Sequence, residues 1–268
     1  MKKLLYAISC SSILLAPATA NAYLIFFGED LNNSASTPLA ATPNSTSASD
    51  SFQASVSARA TTENFENVPA GSAGPRTFNF SSSTTARFNS GTARQQPTAS
   101  TSQNGLYSAG PGGRNSTGYW ESSAAQAGTQ GAFAASFNQP ISAIGFYATD
   151  VAAFGGQLQL QVTDVNGLIR TEIVPTITTV GTDQSPTTGS ALFFGIIADP
   201  TDPTELFTEV SFVTTQNPQL GPDIFALDDL TVDPAETVVP PVVPVPSPAT
   251  LALLGLGLAG LGWSKRKA

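Results

Sequence analysis

Histidine is absent from the 268-residue chain, and cysteine and methionine occur once each, as Cys10 and Met1. Every lysine lies at one of the two ends: Lys2, Lys3, Lys265 and Lys267, the last pair flanking Arg266. Residues 23–248 therefore contain no His, Cys, Met or Lys. Those absences exclude a Ser-His-Asp triad, a cysteine nucleophile, a disulfide, a histidine-based zinc or iron site and a Schiff-base lysine. The same stretch holds six arginines against all 19 acids, a formal charge of −13. An acidic, lysine-free body opposes binding to nucleic acid or to an anionic membrane. It suits hard cations such as Ca²⁺, which take oxygen ligands.

The ends carry what the body lacks. Lys2 and Lys3 precede an apolar stretch through Leu15, and Ala20-Asn21-Ala22 follows. A basic n-region, an apolar h-region and an A-x-A site make a secretory signal peptide, residues 1–22. Signal peptidase is then a partner, with Ala20 and Ala22 marking the cleavage and Tyr23 opening the mature chain. At the other end, residues 249–263 contain no charge, and Ser264-Lys265-Arg266-Lys267-Ala268 closes the chain. Fifteen helical residues span roughly 22 Å, short of a bilayer core of about 30 Å. Trp263 and the basic end suit a membrane interface with the C-terminus in the cytoplasm. Gly255-Leu256-Gly257-Leu258-Ala259-Gly260 matches the dinucleotide fingerprint G-x-G-x-x-G. It has neither the preceding strand nor the length of chain after it that a Rossmann loop requires.

Pro246-Ser247-Pro248, the Gly/Leu-rich span and the basic end together resemble the PEP-CTERM sorting signal, a tail also called an ice-binding protein C-terminal domain. In that family Pro-Glu-Pro precedes a short membrane span. The resemblance implies recognition by an exosortase, a membrane transpeptidase of exopolysaccharide-producing Gram-negative bacteria, and cleavage near Pro246, Ser247 and Pro248. Ser247 departs from the family's glutamate. The implied course is export through the inner membrane, transient anchoring by the C-terminal helix, then release to the surface or exterior.

Between the ends the pattern is β. Residues 23–27 read as a strand, and residues 32–51 are a Ser/Thr/Ala/Asn/Pro run expected to be flexible. Short strands follow around Phe65, Phe78–Phe80 and Phe88, and residues 95–117 read as a long surface loop. Phe133, Ala135 and Phe137 alternate with small residues, as do Ile144, Phe146 and Ala148 beyond Pro140. Residues 157–163 are strictly period-two, and Asn166-Gly167 is a hairpin turn signal. Residues 192–197 are continuously apolar and predict a fully buried strand. Residues 206–214 and 224–232 supply the last two. About eight to ten strands with no convincing helix predict an all-β sandwich, and the long connections favour a jelly roll. The expected domains are a signal peptide (1–22), a strand plus flexible segment (23–60), the sandwich (61–233), a Pro/Val-rich stalk (234–248) and the sorting helix with its basic tail (249–268).

Two internal motifs are candidate sites. In residues 224–232, unbroken alternation places Asp228 in one apolar row with Leu230 and Val232, where a buried carboxylate needs a partner. The Asp228-Asp229 pair and the Phe65-Glu66 segment are similar to the closing and opening strands of MAM-type and carbohydrate-binding-type jelly rolls. That resemblance implies a structural calcium site with Glu66, Asp228 and Asp229 as ligands. The alternative is that Asp229 is solvated and Asp228 caps a bulge or turn. Tyr119, Trp120 and Glu121 could form a sugar platform, an aromatic face beside a carboxylate; the alternative is core or rim packing. Asp150, Asp164 and Asp183 stand at strand ends as turn residues. Glycoside hydrolysis needs two carboxylates at fixed separation, and no local motif selects a pair. The expected function is a non-catalytic, structural, exopolysaccharide-associated surface or biofilm-matrix protein. A carbohydrate-binding module is the first rival and a hydrolase the second.

Overall fold

The computed structural model describes residues 23–96, 102, 104–111, 116–122, 131–151, 157–176, 188–215 and 224–235. The signal segment and the sorting tail lie outside the described residues. The chain divides into one compact unit ending at Ala235 and a second beginning at Glu236.

Twelve strands and one helix follow in chain order: β1 (Leu24–Asp30), α1 (Pro43–Gln53), β2 (Thr61–Glu63), β3 (Arg76–Asn79), β4 (Thr85–Phe88), β5 (Thr92–Gln95), β6 (Gly118–Glu121), β7 (Gly131–Thr149), β8 (Gln157–Asp164), β9 (Ile169–Ile173), β10 (Ala191–Ile197), β11 (Phe207–Thr215) and β12 (Ala226–Pro234). All pairings are antiparallel, and β7 organises them. Its first half pairs with β11 and β4; its second half pairs with β10 and β12. One layer therefore runs β9-β8-β11-β7-β4-β3 and the other β1-β10-β7-β12-β6-β5, with β2 added to the far edge of β12. The register of β7 against β11 jumps between Ser136 and Ile141. Pro140 lies in that break, the kind of irregular position to which a proline inside a sheet is confined. The two alternating runs expected on either side of Pro140 are thus one bent strand that passes between the layers.

The inner faces meet in an aromatic core. Phe146 of β7 meets Phe212 of β11 edge-on at 5.1 Å, and Phe133 stacks on Phe212 at 4.4 Å. Leu158, Leu160 and Val162 of β8 point inward, as their alternation predicts. The fold is the expected all-β sandwich.

The expectation of no helix is corrected. α1 forms inside the run read as flexible, over Pro-Asn-Ser-Thr-Ser-Ala-Ser-Asp-Ser-Phe-Gln. Weak helix propensity and a single large apolar residue gave no local signal for it. Packing stabilises it instead: Ser45, Ser49 and Phe52 are buried against the outer face of the second layer, a third tier over β1, β10 and β7. Thr42, at the N-cap, contributes no side-chain cap. Asp30 of β1 does so from across the chain, accepting from Asn44 N (3.0 Å), Ser45 N (2.9 Å) and Ser45 Oγ (2.7 Å). The helix also explains the apolar run of β10: Leu192, Phe194 and Ile196 face the main core, while Ala191 and Phe193 face the tier under α1. β5, whose last residue Gln95 opens the stretch read as loop, pairs with β6 from Thr92 to Gln95.

Candidate functional site

The Asp228-Asp229 doublet lies where β12 breaks register. Asp228 pairs with Tyr147 and Thr231 with Gly145, so three steps along β12 match two along β7. Asp229 takes φ +43° in this bulge, the left-handed conformation that Asp tolerates better than most residues. The extra residue reverses the alternation. Leu227 before it and Leu230 and Val232 after it all belong to the main core. Asp228 consequently does not share a row with Leu230 and Val232, as unbroken alternation predicts. It lies on the outer face, beside Tyr147. The bulge also splits the far edge of β12: β6 pairs with Ala226 and Leu227, β2 with residues 230–232.

Asp228 is buried. Its Oδ2 accepts from the hydroxyls of Ser108 and Ser116, and its Oδ1 from the backbone N–H of Asp229 at 2.8 Å. Burial first, then the neighbouring Asp229 charge, holds its carboxyl well above the usual range. Burial and Glu66 push Asp229 up to about 6. No ion pair reaches either aspartate among the described residues. The backbone at Gly110 presses on Asp229, since a Cβ there would stand 2.2 Å from Oδ2.

Glu66 is close enough to influence both aspartates but is bound elsewhere. Its carboxylate accepts from the backbone N–H of Thr117 (2.8 Å) and Gly118, and from the Thr117 hydroxyl (3.2 Å). Among the described residues no group of three or more acidic side chains stands as a metal-ligand set. The three carboxylates expected to hold calcium thus share a neighbourhood without converging.

Next to the bulge is a cavity of about 280 Å³ between α1, β2, β7 and β12. Ser49 and Tyr147 line its buried floor, and Gln53, Thr62 and Asn64 its exposed mouth. Asp229 stands between them. Among the described residues the buried Tyr147 hydroxyl meets no hydrogen-bond partner; burial raises its pKa, and the nearby Ser49 and Thr46 side chains act against that rise. The Asp229 carboxylate accepts no hydrogen bond among the described residues. None of the neutral polar side chains around this cavity carries a sequence motif. Gly28, Gly145 and Gly195 inside strands were the available signal that another segment comes close.

Of the two readings of Tyr119-Trp120-Glu121, the structure agrees with core packing and not with the sugar platform. Tyr119 and Trp120 are both 0% exposed, and a stacking face must be open to its ligand. Trp120 packs against Phe78, Phe88 and Phe65 at 5.4, 5.5 and 6.2 Å, and its indole N–H donates to Ser90 O at 3.2 Å. Burial pushes the Tyr119 hydroxyl up to about 12, with Glu121 adding to the rise. Glu121 is paired with Arg94 through two contacts, at 2.6 and 2.9 Å. As expected for a strand-end residue, Asp164 accepts the turn N–H groups of Asn166 and Leu168. Asp183 lies outside the described residues.

No curated protein sequence matches the chain. Among solved structures, the K2 cleaved adhesin domain of Lys-gingipain is similar at 12% identity and a TM-score of 0.36, covering 65% of this chain and 98% of that domain. No helix among the described residues is long and apolar enough to cross a membrane. The family model of the PEP-CTERM protein-sorting motif matches residues 244–267, so this chain carries the tail of an exported protein that an exosortase-type enzyme processes.

Proposed function

We propose that the mature protein is a non-catalytic structural component of a Gram-negative cell surface or extracellular matrix, associated with exopolysaccharide. The observation that carries this reading is the sorting motif at residues 244–267, joined to an acidic β-sandwich. The sandwich side supports it: the chain has no histidine, and several of its charged groups serve local structure. Asp30 caps α1, Glu66 caps the N–H groups of Thr117 and Gly118, and Arg94 pairs with Glu121. The signal peptidase site after Ala22, the short-lived anchor over residues 249–263 and cleavage near Pro246-Ser247-Pro248 belong to the same proposal.

Mass spectrometry of the protein recovered from its host tests it at both ends. The expected mature chain begins at Tyr23, lacks the apolar tail and is found outside the cell with polysaccharide. Removal of Pro246-Ser247-Pro248 should leave the tail attached and the protein in the membrane fraction. Recovery of full-length chain from the cytoplasm would overturn the reading, and extraction unaffected by polysaccharide-degrading enzymes would remove its matrix part.

A further inference from the structure

We propose that the cavity between α1 and the β12 bulge binds a neutral saccharide unit. Asp229, Tyr147, Ser49, Gln53, Thr62 and Asn64 give it most of its hydrogen-bonding lining, and Pro111 and Thr231 complete the wall. A sugar ring presents hydroxyls that both donate and accept, so its site needs fixed acceptors and fixed donors side by side. The cavity has both. Asp229 supplies a carboxylate that accepts nothing among the described residues. Tyr147 supplies a buried hydroxyl that meets no partner among the described residues, a group that costs stability unless something meets it. Asn64 uses its side-chain oxygen on the backbone N–H of Glu66 at 3.3 Å, which leaves its amide nitrogen as a donor.

Size and charge restrict the occupant. About 280 Å³ is far more than one metal ion requires, and corresponds to roughly nine waters at about 30 Å³ each, the scale of one hexose ring. An anionic sugar is disfavoured: Glu66 acts on both Asp228 and Asp229 here, and among the described residues no ion pair reaches either aspartate. The mouth is open, because Gln53, Thr62 and Asn64 are exposed. A ring at the end of a longer chain could therefore enter while the rest stays in solvent.

The geometry is also built rather than incidental. The bulge places Asp229 on the outer face, at the gap between β6 and β2. Gln53, from the last turn of α1, donates to Thr231 Oγ1 at 2.9 Å, and Thr62 meets the same oxygen at 2.7 Å. Helix, edge strand and bulge are thus tied together around the cavity. This inference is independent of the sorting reading, because it concerns only the sandwich.

The test is saturation-transfer NMR on the full-length protein with glucose, galactose, mannose and N-acetylglucosamine, each added alone, and with calcium chloride in a separate sample. At least one sugar should receive saturation. Asp229→Asn and Tyr147→Phe should each weaken its binding by about tenfold or more. Tyr147→Phe should leave the melting temperature unchanged or raised, since it removes a buried hydroxyl that has no partner; this separates a ligand role from a structural one. Absence of transfer to every sugar overturns the proposal. So does sugar binding that survives both variants. A melting temperature raised by calcium alone, with no sugar bound, would assign the cavity to a cation instead.

Discussion

Gly145 of β7 and Gly195 of β10 stand opposite one another across the ladder, and the ring of Phe52 fills the space their missing side chains leave. A Cβ at Gly195 would lie 2.6 Å from Phe52 Cδ2, and one at Gly145 2.7 Å from Phe52 Cε1. Gly28 of β1 makes the same allowance for the start of α1, where a Cβ would meet Asn44 O at 2.2 Å. Phe52→Ala should cost about 3–5 kcal/mol by urea denaturation, and Gly195→Ala about 1–3 kcal/mol by overpacking. The two changes should not add. With the ring gone, the alanine at 195 has room, so its cost should fall in the Phe52→Ala background. Additive costs would show that the ring and the glycine are not coupled.

Asp30 holds the other end of α1. It accepts three hydrogen bonds from Asn44 and Ser45 and is itself buried. Asp30→Ala should destabilise the protein by about 1–2 kcal/mol, the upper range for a lost helix cap. The amide protons of Asn44 and Ser45 should then exchange with solvent faster than in the parent protein, while those of β8 keep their protection. Unchanged exchange at Ser45 would show that the helix start is held by packing alone.

Arg170 and Glu205 form an ion pair at 2.9 Å, with Glu205 1% exposed, and the same guanidinium faces the buried Asp164 at 4.0 Å. Asp199 N donates to the same carboxylate at 3.2 Å, and the guanidinium lies 5.4 Å from the centre of the Tyr23 ring. Arg170→Met strands a buried carboxylate and should cost about 3–5 kcal/mol. Replacing both partners, Arg170→Met with Glu205→Leu, removes the stranded Glu205 carboxylate and should recover a large part of the loss, while Asp164 keeps the turn N–H groups it accepts. A double variant as unstable as the single would mean that the packing of Arg170 on Tyr23, and not charge, dominates.

The strands were readable because their burial is simple. Residues 157–163 have one dry face and one wetter face, and Asn166-Gly167 turns them back, with Gly167 at φ +80°. What sequence reading lost depends on a second cover. α1 has one large apolar residue and is capped from β1, so nothing within residues 43–53 announces it. Period-two logic failed on β12 because one inserted residue, Asp229, exchanges the faces, and a bulge has no reliable local pattern beyond an acidic doublet inside a strand. Sequence alone left Trp120 between a sugar face and core packing, because nothing within Tyr119-Trp120-Glu121 says which side is covered. The neighbours of Trp120 in space are Phe65, Phe78 and Phe88, from three other segments. Trp120→Ala should therefore cost about 3–5 kcal/mol of stability, and any loss of polysaccharide retention in that variant should track unfolding when both are measured across a urea series.

Asp228 and Asp229 set a pH dependence of unusual sign for carboxylates. Salt-bridged carboxylates stabilise a protein as pH rises; these two, raised first by burial and then by neighbouring charge (Asp229 and Glu66 on Asp228, Glu66 on Asp229), do the reverse. An unfolded aspartate titrates near pH 3.9, and Asp229 in the folded protein at about 6. Between those values the folded state keeps a proton that the unfolded state has released, so stability falls as pH rises through the window. Asp228 is raised in the same direction and adds to the loss. In chelator-containing buffer the melting temperature should therefore be higher near pH 5 than near pH 7.5, and Asp229→Asn should flatten the lower part of that slope. Calcium at neutral pH offers a direct contrast. Bound beside these carboxylates, it would replace the missing proton, raise the melting temperature relative to chelator, and lose that effect in Asp228→Ala. A melting temperature that climbs from pH 5 to pH 7.5 in chelator would contradict the raised carboxyls and place a compensating positive charge beside the bulge.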